Sequence, residues 1–65
     1  MTIRNSYGLL IDFDSAVNLM DDTIRESIAN SLSPSDEQEF FDLYCELHIY
    51  TYGETFELDK KNPVW

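Results

Sequence analysis

Three sets of residues in this sequence have side chains of the kinds that chemistry requires. Cys45 and His48 stand three apart, where side chains meet on one face of a helix. Such a pair can act as nucleophile and base, but it needs a third group to orient the imidazole and a cleft to hold a substrate. The chain has one cysteine and one histidine, so the pair cannot be completed into a zinc site either. The reading that fits both residues is structural: His48 at the border of a core and Cys45 as a small apolar residue within it. Asp12-Phe13-Asp14 begins like a calcium loop, yet position 6 of that loop is not glycine and position 12 is Thr23 where glutamate is needed. No metal site, no cofactor and no catalytic residue is predicted, and the chain is read as a non-enzyme.

The third set is Glu39, Asp42 and Glu46. Catalytic carboxylates converge on a substrate and have pKa values pushed apart by burial. These three instead form a row down one helix, with axial steps of about 4.5 and 6 Å at 1.5 Å per residue. Such a row of fixed anions can stand in for backbone phosphates before a groove lined with arginine and lysine.

The element that must position this row is a helix within Ser35–Gly53. It lays Phe40, Leu43, Tyr44, Leu47 and Thr51 along one sector, with the carboxylates on the adjoining flank. Its start is signalled either by a Ser33 cap with Pro34 in the first turn or by a Ser35–Gln38 capping box, and its end by Gly53. An earlier helix is predicted over 13–32, capped by Asp12 with Asp14 in its first turn. Phe13, Val17, Met20, Ile24 and Ile28 recur on one face of it. Opposite them lie Asp22, Arg25, Glu26 and Ala29. The short Ser33-Pro34-Ser35 connection makes the two helices an antiparallel hairpin. Tyr7–Ile11 and Thr55–Leu58 read as short strands, and pairing them would join the chain ends. The predicted fold is therefore α+β, an antiparallel two-helix hairpin with a two-stranded sheet from the chain ends; an all-α fold is the alternative.

Composition bounds the rest. At 65 residues the chain is a single small domain, and 43% apolar residues with nine aromatics is too rich for a disordered acidic tail. Thirteen acids face four bases, for a net charge of −9, and Glu26 to Asp59 holds no lysine or arginine. Nucleic acid and anionic membranes are not expected as direct ligands on that account. No apolar run approaches the roughly 20 residues of a membrane span, and the first fourteen residues lack a signal-peptide pattern. A cytoplasmic protein is expected. Leu19, Phe41 and Ile49 are left over by the helical wheels, which predicts either a homodimer or apolar anchors beside the acids.

The run Ala16–Glu26, AVNLMDDTIRE, together with Glu37–His48, EQEFFDLYCELH, and Tyr52–Phe56, YGETF, resembles a group of small acidic proteins of Gram-positive bacteria and their mobile elements. In size, acidity and helix pairing the chain also resembles phage-borne anti-CRISPR and other DNA-mimic inhibitors. The resemblance implies no catalytic residue, and it implies that Phe56 folds back on the helices.

Two functions follow as expectations. In the first, the chain inhibits a basic nucleic-acid-binding protein, such as a bacterial defence complex. It would dock through Asp22, Glu26, Asp36, Glu37, Glu39, Asp42 and Glu46, with Phe41 and Ile49 as anchors. In the second, it is an adaptor docking through apolar helix residues, its charge serving solubility.

Overall fold

Asn5 and Gly8 turn the first residues of the chain back on themselves. The Asn5 side-chain oxygen accepts from the N–H groups of Tyr7 and Leu9, both at 3.0 Å, and Gly8 takes a positive φ of 79° that a side chain would oppose. The strands so joined are β1 (Thr2–Arg4) and β2 (Leu10–Asp12), antiparallel with Ile3 opposite Ile11. Both isoleucines point inward and are buried, while Arg4 and Leu10 point out. The computed structural model describes residues 1–63 and continues with α1 (Phe13–Leu19), α2 (Asp22–Ser27), one π-helical turn at Ile28–Leu32, and α3 (Glu37–Tyr52).

The fold is α+β as expected, but the sheet forms from different segments. Tyr7 lies in the turn, and Thr55–Leu58 forms no strand. A partner strand that starts at Leu10, just past the turn from Arg4, closes a far shorter loop than one near residue 56, so the local hairpin wins. The chain ends still meet, through side chains. Asn5 donates from Nδ2 to the carbonyls of Leu58 and Lys60, both at 2.9 Å. Asp59 accepts from the Ser6 N–H at 2.7 Å and the Ser6 hydroxyl at 2.9 Å. The tail is thereby held as far as Lys60; Val64 and Trp65 lie outside the described residues.

The helix expected over 13–32 is broken at Met20-Asp21, both of which are extended. Asp12 caps α1 as the sequence indicates, through the Ser15 N–H. Asp21 then caps a new helix through the Ile24 N–H at 3.1 Å. The break is fixed from α3: the Asp21 N–H donates to the Tyr44 hydroxyl at 2.6 Å, and the Tyr52 hydroxyl donates to the Asp21 carboxylate at 2.8 Å. The apolar period runs across the break because Ala16, Met20, Ile24 and Ile28 all reach the same core. Asp21 shares a shallow depression with Thr51 and Tyr52, whereas Ala29 borders the same groove as Glu37 and Phe40. The second half of the broken helix therefore runs antiparallel to α3.

Asp36 caps α3, accepting from the Glu39 N–H at 2.8 Å, where Ser33 or Ser35 was expected. Gln38 cannot close a capping box with Ser35, because its amide is committed elsewhere. It accepts from the Arg4 N–H and donates to the Arg4 carbonyl, both at 2.8 Å, filling the outer side of β1 as a neighbouring strand would. Gly53 ends α3 in the left-handed conformation, as expected. Phe56 folds back, its ring 4.7 Å from Tyr44 and 6.1 Å from Phe41, and Leu58 is fully buried behind it. Thr55 and Glu57 face out, so the alternation read from the sequence holds without a strand to carry it. The radius of gyration, 10.8 Å, is that of a compact chain of this length, about 10.7 Å.

The Asp21–Tyr52 bond makes stability depend on pH at both ends. The hydroxyl of Tyr52 and the N–H of Ile24 hold the Asp21 carboxyl below the usual carboxylate range. The same bond pushes the Tyr52 phenol up. A depressed acid stabilises above its unfolded pKa and loses that contribution as pH falls through its folded value; a raised phenol stabilises below its unfolded pKa and loses it as pH rises. The bond therefore contributes fully between about pH 4 and pH 10. Thermal melts of Tyr52→Phe should show a lower Tm at pH 7 and a shallower fall between pH 5 and pH 3. Wild-type and variant curves that coincide at pH 7 and through that acid range would show that the bond adds nothing.

Candidate functional site

The direction in which α3 faces follows from what it buries. Phe41, Tyr44 and Cys45 are inside, and at 100° per residue the opposite side carries Glu39, Asp42, Glu46, Ile49 and Tyr50, all exposed. The row of carboxylates thus runs down the middle of the outer face of α3, where the sequence had placed it on a flank of the core. Local bonds order its upper end: the Ser35 hydroxyl donates to Glu39 at 2.9 Å, and Gln38 Nε2 donates to Asp42 at 3.1 Å. Among the described residues the ion pairs are Arg25–Asp22 and Lys60–Glu57, so no base neutralises the row.

The other predicted acids gather elsewhere. Glu26, Asp36 and Glu37 line an open groove of about 580 Å³ together with Phe13, Val17 and Phe40. Glu37 sits roughly 140–200° around α3 from the carboxylate row. Glu26 and Glu37 therefore belong to a second surface, apart from Glu39, Asp42 and Glu46. Asp22 is neutralised by Arg25 at 2.7 Å. Asp36 spends one carboxylate oxygen on its helix cap.

Phe41 is a correction. Expected as an exposed anchor, it is 1% exposed and part of the core, packed on Phe56. The wheel drawn from Phe40, Leu43 and Leu47 left Phe41 outside, because it assumed that α3 is covered from one direction. It is covered from two: α1 and α2 take the Phe40–Leu47 side, and Phe56 takes the Phe41–Tyr44 side. Ile49, 48% exposed, stays available. Beside it stands Tyr50, 80% exposed and four residues below Glu46, which the sequence reading passed over. The signal was present, since Tyr50 falls on the acidic side of the same wheel.

Cys45 and His48 do not assemble into a reactive pair. Burial, with the Asp59 and Asp42 charges, pushes the Cys45 thiol up, away from the thiolate that a nucleophile requires. The His48 ring lies against Tyr44, Phe56 and Tyr52, and its Nδ1 is 2.9 Å from the Glu54 carbonyl. A carbonyl only accepts, so that nitrogen carries the proton. Among the described residues no three His, Cys, Asp or Glu side chains are arranged to hold a metal ion, and no helix is long and apolar enough to cross a membrane. What the outer face of α3 presents is a row of carboxylates, uncompensated among the described residues, that ends in an aliphatic and an aromatic side chain.

No curated protein matches the chain. A family model does, that of the anti-CRISPR protein AcrIC5, over residues 4–56. That span runs from β1 to Phe56 and includes the whole outer face of α3, and a match over so much of the sequence means that the chain belongs to the AcrIC5 family of anti-CRISPR proteins.

Proposed function

We propose that the chain is a phage-borne, non-enzymatic inhibitor of a CRISPR–Cas system, and that it occupies the basic groove in which a protein of that system holds nucleic acid. Family membership supports inhibition of a CRISPR–Cas component. The observation that carries the finer reading is the row Glu39, Asp42 and Glu46, exposed and free of basic partners among the described residues. Its axial steps of about 4.5 and 6 Å are of the same order as the spacing of strand phosphates. Ile49 and Tyr50 continue the row and supply the apolar contact that a purely charged surface lacks.

Competition tests this reading. The chain and a target DNA duplex should exclude one another from the isolated CRISPR–Cas complex. The affinity of the chain should also fall steeply between low and moderate salt, because exposed charges are screened beyond about 8 Å at physiological ionic strength. Simultaneous binding of chain and DNA, or an affinity indifferent to salt, refutes the mimicry. The salt-independent case is the one that the adaptor reading predicts, with Ile49, Tyr50 and Leu19 carrying the contact.

A further inference from the structure

We propose that the groove between α1, α2 and the start of α3 is a second docking site, which receives an arginine side chain of the target. The proposal rests on the inhibitor reading for its partner but uses a different surface. The floor is apolar and aromatic: Phe13 and Phe40 meet edge to face at 5.8 Å, with Val17 beside them and Ala29 on the wall. Its volume, about 580 Å³, is that of a ligand cleft, where roughly 300–1,000 Å³ is usual. The rim is charged with one sign. Glu26, Asp36 and Glu37 are its acids, from α2 and from the start of α3, and the base among the described lining residues, Arg25, is already paired with Asp22 at 2.7 Å.

An apolar floor under an unpaired acidic rim suits a side chain with an apolar body and a cationic head. Among protein side chains that describes lysine and arginine. The aromatic floor decides between them. A guanidinium is planar and weakly hydrated, and it stacks on aromatic rings while reaching carboxylates at its edge; an ammonium holds its water and makes a point contact. A phosphate or an acidic peptide would meet Glu26 and Glu37 as like charges, and a purely aliphatic guest would leave both carboxylates desolvated beside it.

Amide NMR of the intact chain, titrated with N-acetylarginine amide and separately with its neutral isostere N-acetylcitrulline amide, tests the proposal without the target. Saturable shifts are expected at Phe13, Val17, Ala29 and Phe40 with the arginine derivative, and at least fivefold weaker ones with citrulline. Ala29→Trp, a change at an exposed position that fills the groove, should abolish them while the amide spectrum elsewhere stays native. Glu26→Gln with Glu37→Gln keeps the groove open and should bring the arginine response down to the citrulline level. Equal response to both amides, no response, or shifts centred on Glu39, Asp42 and Glu46 would overturn the proposal. Failure here is separable from failure of the inhibitor reading. If Ala29→Trp inhibits the CRISPR–Cas complex as well as the wild type does, the groove is not a docking site and the inhibition stands.

Discussion

Reversing Asp42 and Glu46 together to lysine is expected to weaken binding to the CRISPR–Cas target by about 100-fold or more, equivalent to about 3 kcal/mol. If the row meets a basic groove as proposed, each reversal removes an attraction and installs a like-charge contact, a juxtaposition that costs several kcal/mol at an interface. The fold should not notice. Both side chains are exposed, and surface substitutions usually shift stability by about 0.5 kcal/mol or less. Placement is separated from total charge by a matched control, Glu54→Lys with Glu57→Lys, at two exposed positions after α3. That control changes the net charge equally and should cost far less. Calorimetric titration at two salt concentrations measures all three proteins, with plasmid interference in cells as the functional readout. Equal losses in the two double variants would mean that bulk charge, and not the outer face of α3, decides binding.

The second large effect is on stability. Phe41→Ala should cost about 3–5 kcal/mol, the range for truncating a buried aromatic ring. A chain of this length has only roughly 3–10 kcal/mol in total. The variant should therefore lose its cooperative melt or show a Tm lowered by more than 10 °C, since about 1 kcal/mol corresponds to 4–8 °C at this size. Tyr50→Ser, at the 80%-exposed position on the opposite side of α3, should leave the melt within 2–3 °C of wild type and weaken target binding instead. Circular dichroism melts distinguish the two at once. A Phe41→Ala protein that melts like the wild type but fails to bind would return Phe41 to the surface role that its spacing first suggested.

Much of this molecule is legible in its residues, and the parts that are not share a cause. Asp12 as a cap, Gly53 as a terminator, and the apolar face shared by Met20, Ile24 and Ile28 rest on local signals or simple periodicity, and the return of Phe56 onto the helices on the family resemblance. The break at Asp21 does not. Its bonds come from Tyr44 and Tyr52, 23 and 31 residues away, and the periodicity is blind to it because both halves serve one core. The choice of strand partner could have been read, since Asn5 to Gly8 is a turn signal, but the apolar pattern alone points to pairing the chain ends. For the surface, the carboxylate row was visible in its spacing. Its division from Glu26 and Glu37 needed the rotation of α3 about its own axis, which depends on two coverings, one of them contributed by residues 56–58.

That late covering has a consequence for how the protein is made. The contacts that fasten it, from Asn5 to Leu58 and from Ser6 to Asp59, each span 53 residues of sequence. While the ribosome is still adding residues after α3, Phe41, Tyr44 and Cys45 have no lid, and the hairpin has nothing to grip at its turn. Structure of such high sequence separation forms last. An emerging chain with uncovered aromatic surface is open to proteases and to association with its neighbours. The yield of folded protein then depends on how quickly residues 56–60 reach Asn5 and Ser6, as well as on the stability of the finished fold.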